Sequence, residues 1–176
     1  MKPVVAVLSS ALLTACAYSV PSYEVANAVP AELAGQAGIK VVNAGSKFDD
    51  TGSILCRAAG NVQLPGGQTF AKYLEDALKK EAIAAGLLDE VNGLQMRMTL
   101  ERVDFSTTLG ATNWFIDARY VVAGSEFLIA TVYNDRSSYL GDKACANMAR
   151  YFQKAVALHL RQLFSEPLLK RKLHRM

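Results

Sequence analysis

The chain has 176 residues, 51% of them hydrophobic and 20% charged, with a formal net charge of +3 at pH 7. That length leaves room for one domain of ordinary size with a real core, and excludes a multidomain assembly. A strongly basic body is excluded too: with Lys2 and the tail residues Lys170, Arg171, Lys172 and Arg175 set aside, 14 of the 19 basic residues stand against 16 acidic ones.

Lys2 precedes an uncharged, mostly apolar run over 4–13, which ends in Leu13-Thr14-Ala15-Cys16. A charged start, a short apolar stretch and small residues before a cut describe an export signal. The run is about half the roughly twenty apolar residues that a membrane span needs. Leu-Thr-Ala-Cys resembles the lipobox of bacterial lipoproteins. The resemblance implies that the Cys16 thiol takes a diacylglyceryl group, that residues 1–15 are removed as a signal peptide, and that Cys16 becomes the acylated first residue. Two or three acyl chains hold a protein durably on a bilayer. In the family, Asp after the cysteine tends to retain the product at the inner membrane; Ala17 here implies the outer membrane, with the domain lipid-anchored and facing the periplasm.

The stretch over 16–38 is Ala-rich, contains Pro21 and Pro30, and carries only Glu24 and Glu32 as charges. With no sustained periodicity it reads as a flexible tether able to hold the body a few tens of Å from the lipid. A single domain over 39–167 follows. A short strand is expected over 39–43, then a polar loop over 45–53. Ile54, Cys56, Ala58, Val62 and Leu64 share one parity, the pattern of a half-buried strand, with Gly60 as a bulge. Phe70, Leu74, Ala77, Leu78 and Ala85 describe an amphipathic helix over 70–85, with Thr69 as its N-cap and Gly86 as its stop.

Asn92-Gly93 turns the chain into Leu94, Met96, Met98 and Leu100, alternating with Gln95, Arg97 and Thr99. The parity slips near Arg102, which predicts a bulge. Trp114 to Val122 alternates again, whereas the run over 127–133 is apolar on both parities and reads as covered on both faces. A long helix is expected over 143–164, with Cys145, Ala149, Phe152, Val156, Leu160 and Leu163 on one face. Ser165-Glu166-Pro167 ends it, and a basic tail over 168–176 follows. The sum is an α+β fold in the order β-β-α-β-β-β-α, a mostly antiparallel sheet of about five strands with two helices on one face.

Lipidation of Cys16 leaves Cys56 and Cys145 as a pair in an oxidising compartment, where a disulfide is expected. Periodicity puts both on buried faces, so the alternative is two buried free thiols. Asp50-Thr51-Gly52-Ser53 matches the tetrapeptide of aspartic proteases, but those need two such aspartates on an all-β frame, and an Asx-type turn is the simpler reading. His159 and His174 lie in no metal-ligand spacing, and no nucleophile is paired with a base. No enzyme activity, cofactor, metal or nucleic acid is therefore expected. Lys170, Arg171, Lys172 and Arg175, interleaved with leucines, are candidates for contact with an anionic surface, against a solvated, frayed end. In its signal, tether, element order and the Ala144-Cys145-Ala146 start of the last helix, the chain is similar to small outer-membrane lipoproteins. That loose group includes the lipopolysaccharide-assembly, penicillin-binding-protein-activator and ABC-transporter auxiliary lipoproteins. The resemblance implies a non-enzymatic accessory or assembly subunit that binds an envelope protein complex. The other function weighed is a carrier or sensor of a lipid or other amphiphile held between sheet and helices.

Overall fold

The computed structural model describes residues 17–108, 111–136 and 140–174. It is an α+β domain with two sheets and three helices. One sheet has the order β1-β4-β3, from Ala17–Ser19 (β1), Ser53–Cys56 (β3) and Gly60–Gln63 (β4). The other has the order β2-β5-β6-β7, from Ile39–Ser46 (β2), Leu94–Thr108 (β5), Ala111–Val122 (β6) and Ser125–Arg136 (β7). The helices are Phe70–Ala84 (α1), Gly141–Ser165 (α2) and Pro167–Leu173 (α3).

The larger sheet is antiparallel from β5 to β7 but parallel between β2 and β5. A parallel pair needs a long crossover, and β3, β4 and α1 form it. The expected single sheet is thus two, because the stretch over 54–64 is a hairpin rather than one strand. Ile54 pairs with Val62, and Cys56 with Gly60. Directly opposed residues face the same side, so an even sum of positions carries one parity straight through the turn. Gly60, expected as a bulge, closes that turn. The bulge near Arg102 is present, as a register shift between Leu100 and Arg102.

Helix α1 is bounded as its residues dictate. Thr69 Oγ1 accepts from Lys72 N at 3.1 Å, Gly86 takes φ 68°, and Leu87 N bonds back to Ala82 O at 2.7 Å, closing the last turn as glycine-stopped helices do. Asp50 adds a second cap: its carboxylate accepts from Phe70 N at 2.8 Å and Ala71 N at 2.9 Å. It also takes Gly52 N at 3.2 Å, so the protease-like tetrapeptide is an Asx turn that holds the start of a helix. Gly52 is fixed by space as well as by its φ of +67°, since a Cβ there would lie 1.9 Å from Gln68 O.

The core lies between the larger sheet and the helices. Trp114 packs on Phe152 with ring centroids 4.6 Å apart, and Phe152 meets Tyr73 at 5.2 Å and Phe70 at 5.3 Å. Met96, Met98, Ile116, Tyr120, Leu160 and Leu163 fill the rest, all buried. Three further expectations need correction. The stretch over 17–38 is not a free tether: β1 pairs in parallel with β4, and Val20, Tyr23, Ala28 and Leu33 are buried. Nor is the tail frayed over 168–174, because α3 buries Leu169 and Leu173. And β7 is covered on one face only: Ile129 and Thr131 are buried, while Leu128 and Val132 are 47% and 50% exposed.

Candidate functional site

The open face of the larger sheet follows from strict alternation. Inward residues of β6, namely Thr112, Trp114, Ile116, Ala118, Tyr120 and Val122, are buried, which turns Phe115, Asp117, Arg119 and Val121 outward. Phe115 stands directly opposite Val132, and Arg119 opposite Leu128. The Arg102 guanidinium lies 4.5 Å from the Phe115 ring centroid, a cation–π contact. Beside this apolar area runs an ionic chain: Lys47 Nζ donates to Glu101 at 2.5 Å, Arg119 Nε to the same oxygen at 2.6 Å, and Arg119 also to Glu126 at 2.5 Å. The Arg119 hydrogen bond, reinforced by Lys47, draws the Glu101 carboxyl down to about 2. A face that carries apolar groups beside fixed charges suits contact with another protein, where charge sets register and aromatic and aliphatic groups supply buried area.

A second feature is the end of the domain at which β1 begins. Ala17 pairs with Asn61, which pairs in turn with Leu55. Just beyond lies the β3–β4 turn, with Arg57 and Ala58 at φ 48° and 54°. Arg57 reaches β5, its Nε donating to Thr107 Oγ1 at 2.6 Å and its Nη2 to Thr107 O at 2.8 Å. The Cys56–Cys145 disulfide, with Cα atoms 5.9 Å apart, ties the same turn to the first turn of α2. Strand β1, the turn, the far ends of β5 and β6 and the start of α2 therefore meet at one place.

The remaining candidates are placed as follows. Cys16 and Arg175 lie outside the described residues. Lys170 pairs with Glu32 at 2.9 Å, and Lys172 donates to Ala123 O at 3.3 Å, while Arg171 is exposed. All three belong to α3, beside the β6–β7 turn at the opposite end of the sheet from Ala17. Among the described residues no group of three or more His, Cys, Asp or Glu is placed to hold a metal ion.

His159 is fully buried, its Nε2 2.8 Å from Tyr120 Oη and its Nδ1 2.8 Å from Thr131 Oγ1. Burial pushes its imidazole down to about 3, so it is neutral at pH 7 and its polar neighbours satisfy both nitrogens. It is a core histidine.

Sequence reasoning missed the group that holds the first segment in place. Glu81, 1% exposed, accepts from Tyr23 Oη at 2.7 Å, Ala26 N at 2.6 Å and Ala28 N at 2.8 Å. Burial, then the Glu81 bond, pushes the Tyr23 hydroxyl well above the usual tyrosine range. The signal was available: Glu81 interrupts the apolar stripe of α1 between Leu78 and Ala82.

Fold and surfaces together define a small, disulfide-stapled α+β domain with an open sheet face and no assembled catalytic group among the described residues. No family model and no curated protein matches the chain. Among solved structures it is similar to protein XCC0632 from Xanthomonas campestris, of the DUF330 family, at 16% identity and a TM-score of 0.54, over 89% of this chain and 97% of that one. An uncharacterized protein is also similar, at 9% identity and a TM-score of 0.47, over 84% of this chain and 99% of that one. At such identities the likeness with XCC0632 shows a shared fold.

Proposed function

We propose that the chain is an outer-membrane lipoprotein, anchored through Cys16 and facing the periplasm, that serves as a non-enzymatic accessory or assembly subunit. Its open sheet face would bind a protein complex of the envelope. The observation that carries this reading is the uncovered β5-β6-β7 face, where Phe115, Leu128 and Val132 lie beside the Lys47–Glu101–Arg119–Glu126 chain. Apolar side chains left in water on the edge strand β7 and its neighbour β6, beside a fixed ionic chain, are the composition of a contact surface. The Cys56–Cys145 disulfide supports an oxidising compartment.

The alternative, an amphiphile carrier, finds less support. The space between sheet and helices is filled by Trp114, Phe152, Tyr120, Met96 and Met98, each at most 1% exposed, so a guest would have to displace core residues.

Photocrosslinking amino acids placed at Leu128 and Val132 in growing cells test the reading, with Ile83, 62% exposed on α1, as the control position. Capture of one envelope-complex subunit from both sheet positions and not from Ile83 is the expected result. Capture of nothing from the envelope, or equal capture from all three, refutes the accessory role.

A further inference from the structure

The β1 end of the domain has a chemistry that the open sheet face does not use. β1 pairs in parallel with β4, Ala17 with Asn61, which sets the first residue of β1 beside the β3–β4 turn, whose Arg57, Ala58 and Ala59 are all exposed. Cys16 directly precedes Ala17 in the sequence. An acyl group on it would leave little slack between lipid and protein.

Around this point the surface is basic and partly apolar. Leu55, 64% exposed, is in the Ala17 row. Arg57, exposed in that turn, lies along β5, its guanidinium donating to Thr107 Oγ1 and Thr107 O. Lys143 is exposed in the first turn of α2, two residues before the disulfide. Arg150, exposed about two turns beyond Lys143 on α2, lines a groove with Tyr18 and Ala146, and Arg136 ends β7. The acidic groups facing them are Asp142, exposed beside Lys143, and Asp135, which accepts from Tyr133 and lies 4.0 Å from Lys154. The cations stay in excess.

We propose that this end of the domain, the β3–β4 turn with Leu55 and Arg57 and the start of α2 with Lys143, rests on an anionic phospholipid surface. The inference depends on acylation of Cys16. Charge and place both favour the occupant: juxtamembrane Lys and Arg are attracted to anionic headgroups, and an exposed leucine beside them enters the interface. The basic helix α3 is thereby excluded from that role. It lies beyond the other end of β6, whose 12 residues span roughly 37 Å at the strand rise.

The test uses the mature protein purified from membranes and reconstituted into vesicles of phosphatidylethanolamine and phosphatidylglycerol. An environment-sensitive fluorescent amino acid is placed at 55 or at 172, and quenching by spin-labelled headgroups is read. Strong quenching at 55 and little at 172 is expected, with the signal at 55 falling several-fold in the combined Arg57→Glu and Lys143→Glu variant or in phosphatidylcholine. Mass spectrometry of the N-terminal peptide from the same sample reports acylation. An acylated protein quenched no more at 55 than at 172 overturns the membrane contact alone. An unacylated one overturns the contact and the anchoring together.

Discussion

Glu81 sits in the apolar stripe of α1 and gathers three donors from a segment more than fifty positions earlier. A buried polar group that loses its partner costs about 1–3 kcal/mol, so Glu81→Ala, which orphans a hydroxyl and two amides, is expected to lose roughly 3 kcal/mol or more. Denaturant unfolding measures it, and protease cleavage within residues 20–30 should appear well below the unfolding midpoint. Tyr23→Phe, which removes one donor and leaves the carboxyl two others, should cost only about 1 kcal/mol. His159 gives a different signature. Its folded-state value near 3 lies below the ordinary 6.5, so between those limits the unfolded chain binds the extra proton. Stability should be flat above about pH 6.5 and fall below it by up to about 1.4 kcal/mol per pH unit. His159→Asn should flatten the slope between pH 6.5 and 5, before the carboxylates titrate; an unchanged slope would show that another group is responsible.

The elements that could be read from sequence are those whose pattern local geometry alone produces. Thr69, the α1 stripe and Gly86 mark a helix without help from the rest of the fold, and Met96, Met98 and Leu100 mark a strand with one dry face. The hairpin over 53–63 defeated the same logic, because parity runs unbroken through its turn and neither Arg57 nor Ala58 signals a left-handed conformation. The segment over 17–38 defeated it for a second reason. Its order comes from long-range partners, Gln63 O for Val20 N at 2.9 Å and Glu81 for Tyr23, which no local pattern reveals. The open sheet face was illegible because apolar residues on both parities of β7 look alike whether the outer face meets protein or water. Two outcomes follow for the turn. Ala58→Gly relieves a left-handed alanine and should stabilise by about 1 kcal/mol, less the added freedom of the unfolded chain. Replacing Cys56 and Cys145 together by Ser opens a loop with a separation of 89 residues and should cost about 4.6 kcal/mol on the chain-entropy account. Thermal melts of the two variants should therefore move in opposite directions.

An anchor one residue from an ordered strand changes what the proposed lipoprotein can do. A tether of some twenty residues would let the domain search a wide shell above the bilayer. With β1 starting at Ala17, acylation of Cys16 would instead stand the long axis of β6 away from the lipid, carry α3 and the β6–β7 turn to the far end and present Leu128 and Val132 at a set height. An envelope partner would then meet the open face at one level and in one orientation, which would spare much of the orientational entropy of association. Inserting about fifteen Gly/Ser residues between Cys16 and Ala17 would add a flexible span of roughly 20 Å without touching the core. Unfolding of that variant should match the parent, while crosslinking from Leu128 and Val132 in cells should drop. Full retention of crosslinking would show that the partner tolerates any height, and that the short anchor serves only to hold the protein at the membrane.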